Sequence, residues 1–191
     1  MISVRPFVMT SALAAALLCA LPVAPALAQI SLLAPSELTE AVQAGDADKV
    51  TSLLGHGGKP DTTDKRGTTA LILAIQIGNA DIMTALLKAG ARVNLPDKDG
   101  NTPLIWAADG GDVSMVQRLL SAGAKVNLDN RQGLTPLMAA ARSGRVEALE
   151  ILLKAGAAVD KSDFTGRDAL AWAADSRTPQ GAELLRRYGA H

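Results

Sequence analysis

Apolar residues recur at one fixed spacing along most of this 191-residue chain. Leucine recurs every 33 residues at Leu71, Leu104, Leu137 and Leu170, and alanine at Ala74, Ala107, Ala140 and Ala173. Two glycine series keep the same step, at Gly67, Gly100, Gly133 and Gly166, and at Gly57, Gly90, Gly123, Gly156 and Gly189. A fixed period of this length is typical of small supersecondary units that stack on one another. The pattern therefore predicts a solenoid.

Each period contains the signals of two short helices. Thr102 and Pro103 suit the start of the first helix, because a threonine oxygen accepts backbone N–H groups and the fixed φ of proline fits the first turn. Gly111 and Asp112 then break that helix and cap a second one, whose apolar residues follow helical spacing at Val113, Val116, Leu119 and Leu120. Gly123 stands where a left-handed C-terminal cap is needed. We expect the two helices to form an antiparallel pair.

Successive helix pairs are joined by a polar stretch. In the middle of the chain this stretch is 124–133, and its asparagine, aspartate and glycine residues favour tight turns. We expect it to form an extended hairpin, which we call a finger. One unit is therefore predicted to consist of a turn, two helices and a finger.

The motifs of this unit resemble those of the ankyrin repeat. Thr-Pro-Leu stands at 102–104 and 135–137, and Leu-Leu-x-x-Gly-Ala at 119–124 and 152–157. The resemblance covers residues 32–191 and implies an all-α solenoid of helix-turn-helix units with hairpin fingers. One departure concerns the histidine that usually follows Thr-Pro-Leu, which is replaced here by Ile72, Ile105, Met138 and Ala171. We expect apolar packing to replace the hydrogen bonds of that histidine.

About five repeats fit the register, and the two outermost ones are degenerate. Their approximate bounds are 32–61, 62–94, 95–127, 128–160 and 161–191. The first has Ser36-Glu37-Leu38 in place of Thr-Pro-Leu, and the last has Arg177 and Arg186 in place of a glycine and a buried leucine. Polar substitutions at the ends of a stack are typical of capping repeats.

The first 28 residues differ from the rest and are predicted to be a signal peptide. Arg5 precedes an Ala/Leu-rich run, and Ala26-Leu27-Ala28 provides a small-residue cleavage site. The run is short for a membrane span, and Leu18 before Cys19 disfavours a lipoprotein. The segment resembles a bacterial export signal. We therefore expect a single domain at 29–191, without cysteine, located in the periplasm and not inserted in the membrane.

Charge and reactive side chains narrow the possible functions. The chain has 19 basic and 19 acidic residues, and removal of residues 1–28 with Arg5 leaves a formal charge of −1. Neither nucleic acid nor an anionic membrane is indicated as a partner. His56 and His191 stand without the other groups that catalysis needs, and 97–101 lacks the later ligands of a calcium loop. We expect no enzyme activity, no metal and no cofactor.

The resemblance instead implies protein binding through the concave face. In ankyrin-like arrays the contact positions flank the finger glycine and lie at the exposed end of the first helix. The corresponding residues here are Lys65, Arg66, Thr68, Gln76, Ile77, Lys98, Asp99, Asn101, Asp109, Arg131, Gln132, Leu134, Arg142, Phe164, Thr165, Arg167 and Asp175. Leu134 and Phe164 are notable, because an apolar fingertip has nothing to pack against unless a partner supplies it.

The two tryptophans leave two interpretations open. Trp106 and Trp172 occupy equivalent positions in repeats three and five, which hold Leu73 and Ala139 in repeats two and four. Alternating large and small residues suit packing between neighbouring repeats. At about 100° per residue, however, Trp106 also points toward the concave face. It is therefore either a core residue or an exposed anchor for the partner, and we include it among the candidate contacts.

These observations predict a monomeric, exported protein that binds another protein. It would act as an adaptor or protective factor for an envelope or stress-response protein. The alternative is an immunity protein that neutralises a toxin acting in the periplasm. The fold indicates binding but does not identify the partner.

Overall fold

The computed structural model describes residues 35–176 and 178–191, and this part of the chain contains ten α-helices. The predicted signal peptide and Arg177 lie outside the described residues. The helices are α1 (Pro35–Gln43), α2 (Ala47–Gly55), α3 (Ala70–Gln76), α4 (Ala80–Lys88), α5 (Pro103–Gly110), α6 (Val113–Ser121), α7 (Pro136–Arg142), α8 (Val146–Lys154), α9 (Ala169–Asp175) and α10 (Pro179–Arg187). Consecutive helices pair within a repeat, and we number the pairs repeats one to five.

The helices stack in two layers. The first helices, α1, α3, α5, α7 and α9, contact one another in chain order. The second helices form the other layer. The main contacts between helices in the described ranges therefore run within a repeat or between neighbours, which is the arrangement of a solenoid. None of the helices in the described ranges is long and apolar enough to cross a membrane.

Polar caps fix where the helices begin, as the motifs predict. The hydroxyl oxygen of Thr102 accepts a hydrogen bond from the Ile105 backbone N–H at 3.3 Å, and Thr135 accepts one from Met138 at 3.3 Å. Asp112 caps α6 by accepting from the Met115 N–H at 3.0 Å. Such caps satisfy backbone donors that the first helical turn leaves unpaired.

The core is a continuous apolar strip between the layers. The Thr-Pro-Leu leucines Leu104 and Leu137 are each 1% exposed. Ile105 and Met138, at the position that usually holds histidine, are also buried. The expected replacement of histidine hydrogen bonds by apolar packing is confirmed in these repeats. In the last described repeat, Leu170 and Ala171 are only partly buried.

The fingers are tight turns rather than extended strands. Within the described residues their strand pairing is limited to the isolated bridges Thr63–Thr69 and Ser162–Asp168. An aspartate or asparagine at the base of each finger accepts two backbone N–H groups, from the second and fourth following residues. These residues are Asp64, Asp97, Asn130 and Asp163. Their side chains close each turn locally, so that few ladder hydrogen bonds remain.

A second polar series clamps one repeat to the next. Asn94 Oδ1 accepts from the Lys125 N–H at 2.9 Å, and its amide donates to the Gly123 carbonyl at 3.3 Å. Asn127 repeats both bonds with Ala158 and Gly156. At the end of the first repeat, Asp61 accepts from the backbone N–H and Nε of Arg92 in the second. The sequence reasoning missed this series, although its spacing of 33 is visible in the chain.

Candidate functional site

The fingers and the first helices form one surface, which we call the inner face. We number each finger with the repeat whose first helix it precedes, so that fingers two to five have their tips at 64–68, 97–101, 130–134 and 163–167. The first three repeats of the inner face enclose a groove of about 900 Å³ between α1, α3 and fingers two and three. The groove brings together eight of the predicted contact residues, which are Lys65, Arg66, Thr68, Gln76, Ile77, Lys98, Asp99 and Trp106. Residues far apart in the chain thus line a common site.

The sequence reasoning missed the contribution of the first repeat. Thr39, Glu40 and Gln43 of α1 line one side of the groove. Gln43 lies 33 residues before Gln76, so the period could have identified it. The degenerate motif of this repeat indicated only a cap, but here the cap also forms a wall of the site.

Three cationic residues lie at the tip of finger two. Lys65 and Arg66 directly precede Gly67, and the methylenes of Lys98 lie over that glycine. A Cβ atom at Gly67 would be only 2.6 Å from Lys98 Cε. Within the described ranges, none of the three cations has a carboxylate oxygen within 4.0 Å.

Trp106 is held at the groove by its own finger. Its indole N–H donates to Asp97 Oδ2 at 2.9 Å, while Asp97 Oδ1 accepts the backbone N–H groups of Asp99 and Asn101. The tryptophan is partly buried and lines the groove. Trp106 is therefore neither a fully buried core residue nor a freely exposed anchor. The fold fixes its side chain, and its ring borders the groove.

Trp172 has the same arrangement in the last repeat. Its N–H donates to Asp163 Oδ2 at 3.0 Å, and the guanidinium of Arg167 stacks 3.8 Å from the ring centroid. Burial of Asp163 favours its neutral form, but hydrogen bonds from Thr165, the Arg167 backbone and Trp172 outweigh this and lower the pKa of the carboxyl. A carboxylate therefore ties each tryptophan to its finger.

The inner face of repeats three to five is largely paired with itself. Asp109 Oδ1 accepts from Arg142 Nη2 at 2.9 Å and from the Ser143 hydroxyl at 2.6 Å. Arg167 forms an ion pair with Asp175. These four predicted contact residues, Asp109, Arg142, Arg167 and Asp175, are therefore engaged with one another, unlike the cations of finger two.

The fingertip expectation for Leu134 is wrong. Its side chain is 5% exposed and belongs to the core. The Leu134 N–H donates to Asn130 Oδ1 at 2.9 Å, which closes the finger at its base. The residue after the finger glycine thus lies at the start of the helix layer, where an apolar side chain packs inward.

Phe164 is exposed as expected, but it is not without a neighbour. The side chain is 76% exposed, and one ring edge lies against the preceding finger, where a Cβ at Gly133 would be 2.9 Å from Phe164 Cδ1. The Phe164 N–H also donates to the Gln132 carbonyl at 3.0 Å, as the Arg131 N–H does to Asp99 at 3.1 Å. Neighbouring fingers are therefore linked by backbone hydrogen bonds, and their side chains remain free for contact.

A family model of ankyrin repeats in three copies matches residues 38–130 and 110–191. The chain belongs to the ankyrin-repeat family. The comparison with curated proteins gave no match. Ankyrin-repeat proteins are typically interaction modules without enzymatic activity, and this chain is accordingly a protein–protein interaction module.

The reactive groups of this ankyrin array have local structural roles. His56 Nδ1 lies 2.7 Å from the Ser52 carbonyl, and His191 Nδ1 lies 2.7 Å from the Gly189 carbonyl. In the described part of the chain, no group of histidine, cysteine or acidic residues is arranged to hold a metal ion. The finger at 97–101 uses its first aspartate to close the turn and hold Trp106.

Proposed function

We propose that this ankyrin-repeat protein is exported to the periplasm and binds a partner protein on its inner face. It acts there as an adaptor or protective factor for an envelope or stress-response protein. The groove of repeats one to three carries this proposal, since it joins predicted contact residues from two fingers and two helices with cations that have no ion-pair partner among the described residues. Partly polar grooves with an aromatic side chain are typical of interfaces.

Export is supported by the N-terminal pattern of Arg5, an apolar run and Ala26-Leu27-Ala28. Mass spectrometry of the protein recovered from periplasm tests it, and we expect Gln29 as the first residue. A retained N-terminus, or an acyl group on Cys19, would contradict this part of the proposal.

Binding is tested by capture of partners from periplasmic extract. We expect a variant with alanine at Arg66, Lys98, Arg131 and Phe164 to lose binding at least a hundredfold, because two or three anchors contribute about 2 kcal/mol each. The melting curve should change little, since substitutions of exposed residues usually alter stability by under about 0.5 kcal/mol each.

The matched control replaces Glu147, Glu150 and Lys154 with alanine on the second-helix layer. It should retain the captured partner. Loss of capture in the control, with retention in the inner-face variant, would move the site to the opposite surface. Capture of a toxin rather than an envelope protein would favour the alternative role as an immunity protein.

A further inference from the structure

The tip of finger two carries a cluster of cations. Elsewhere on the inner face, Arg142 and Arg167 are matched by carboxylates of their own layer, and Arg131 stands singly at the tip of finger four. Lys65 and Arg66 precede Gly67, the methylenes of Lys98 lie over it, and none of the three has a carboxylate within ion-pair distance in the described ranges. Like charges held together repel one another, and a bound anionic group relieves that repulsion.

The carboxylates at the base of these fingers form no ion pair with the cations of the tip among the described residues. Asp64 Oδ1 accepts the backbone N–H groups of Arg66 and Thr68 at 2.9 and 2.8 Å. Asp97 accepts from its own finger and from the indole of Trp106. Both carboxylates are therefore engaged in closing the turns, while Lys65, Arg66 and Lys98 are exposed.

The groove beside the cationic tip has apolar surface. Ile77 is 43% exposed, and Leu73 and Trp106 also line the groove. Because the indole N–H of Trp106 is already bonded to Asp97, the ring offers only apolar contact to a ligand. An apolar side chain placed here would be covered on one side by these three residues and flanked by cations on the other.

We propose that this groove binds an extended segment of the partner protein that carries acidic side chains next to an apolar one. The inference rests on the proposed function and adds the chemistry of the partner. The acidic groups lie against finger two and the apolar side chain against Ile77 and Trp106. Glu40 of α1 and Asp99 of finger three also line the groove and disfavour acidic groups beside them, so that the acidic side chains of the segment bind at finger two and the segment binds in one orientation.

A random-sequence peptide library displayed on phage, selected on the exported protein, tests this recognition. Enriched peptides should combine Asp or Glu with a neighbouring apolar residue. For synthetic versions, fluorescence anisotropy of labelled peptide should show at least about tenfold weaker binding to an Arg66→Glu/Lys98→Glu variant. Binding to the unmodified protein should also weaken as salt concentration rises.

The matched control is Lys59→Glu/Lys125→Glu. Both lysines are exposed, lie outside the groove and make no ion pair among the described residues. The control makes the same change in net charge and should weaken binding about twofold at most. Circular dichroism should show equal helix content in both variants.

Three outcomes would overturn the inference, namely enrichment of peptides without acidic residues, equal losses in both variants, or enrichment of no sequence at all. The proposed function fails separately, when the four-alanine variant still captures the partner from extract. If that variant loses the partner while Arg66→Glu/Lys98→Glu retains peptide binding, the inner face is the site but the acidic-segment inference is wrong.

Discussion

At the scale of single residues, the finger carboxylates have more than one role. Asp97 and Asp163 each close a turn through one oxygen and hold a tryptophan through the other. Repeat four has Asn130 instead, with Ala139 at the tryptophan position, and the Asn130 amide donates to Asn101 Oδ1 at 2.7 Å. Aspartate thus accompanies tryptophan in the two repeats that contain it.

Replacing Asp163 with Asn should make the last repeat less stable at neutral pH. The amide cannot accept hydrogen bonds at both positions, so either a turn N–H or the Trp172 N–H loses its partner, at a cost of about 1–3 kcal/mol. Urea unfolding followed by Trp172 fluorescence measures this in a Trp106→Phe background, since the chain has two tryptophans. Asp160→Asn, at an exposed site outside the finger, is the control.

The loss of stability caused by Asp163→Asn should become smaller as the pH falls. Because the folded-state pKa of Asp163 is lowered from 3.8, its stabilising contribution is complete above the unfolded-state pKa and is lost as pH falls through the folded-state pKa. The difference between the unmodified protein and Asp163→Asn should therefore shrink below about pH 4. A difference that stayed constant down to strongly acidic pH would contradict the role of the charge.

At the scale of elements, each repeat is joined to its neighbour by polar clamps as well as apolar packing. Asn94 and Asn127 bond the backbone just after the second helix of the following repeat. Backbone hydrogen bonds from Arg131 and Phe164 join fingers three, four and five. These bonds set the relative position of the fingers, and hence the shape of the inner face.

We expect Asn127→Ala to weaken the coupling between repeats three and four. The variant loses the bonds to the Ala158 N–H and the Gly156 carbonyl, which together contribute about 1–2 kcal/mol. Asn127→Asp keeps the acceptor and should lose less. Hydrogen exchange of α7 and α8 measures the effect, and unchanged protection of these helices in Asn127→Ala would contradict the role as a clamp.

At the scale of the whole molecule, the array divides into two unlike halves. The groove of repeats one to three has exposed apolar surface and cations without an ion pair among the described residues. On the inner face of repeats three to five, Arg142, Asp109, Arg167 and Asp175 form ion pairs, and Arg131 and Phe164 at the fingertips are exposed. Stability is shared through contacts between neighbours. A defect in a middle repeat therefore affects both halves.

Leu137→Ala tests this coupling. Leu137 is 1% exposed between repeats three and five, and its truncation should cost about 2–5 kcal/mol. Leu170, its equivalent in the last repeat, is only partly buried, so Leu170→Ala should cost less. Thermal unfolding followed by circular dichroism compares the two variants. Equal melting temperatures for Leu137→Ala and the unmodified protein would show that the 33-residue register is wrong.

The sequence by itself determined the repeat, the helix pairs, their caps and the inner-face positions, because each depends on residues close together in the chain. The period also placed Lys98, Arg131 and Phe164 at equivalent fingertip positions. Local patterns of this kind follow from helix geometry and turn chemistry, which do not require knowledge of distant contacts.

Only the tertiary structure decided which of these positions are free. Leu134 is buried while Phe164 is exposed, and Arg142 forms an ion pair while Arg66 forms none within the described ranges. The partners of such side chains lie about one repeat away, as for Arg142 with Asp109, or on another element, as for Lys98 over Gly67. Side-chain direction and the spacing between stacked repeats fix these contacts, and neither can be read from the order of residues alone.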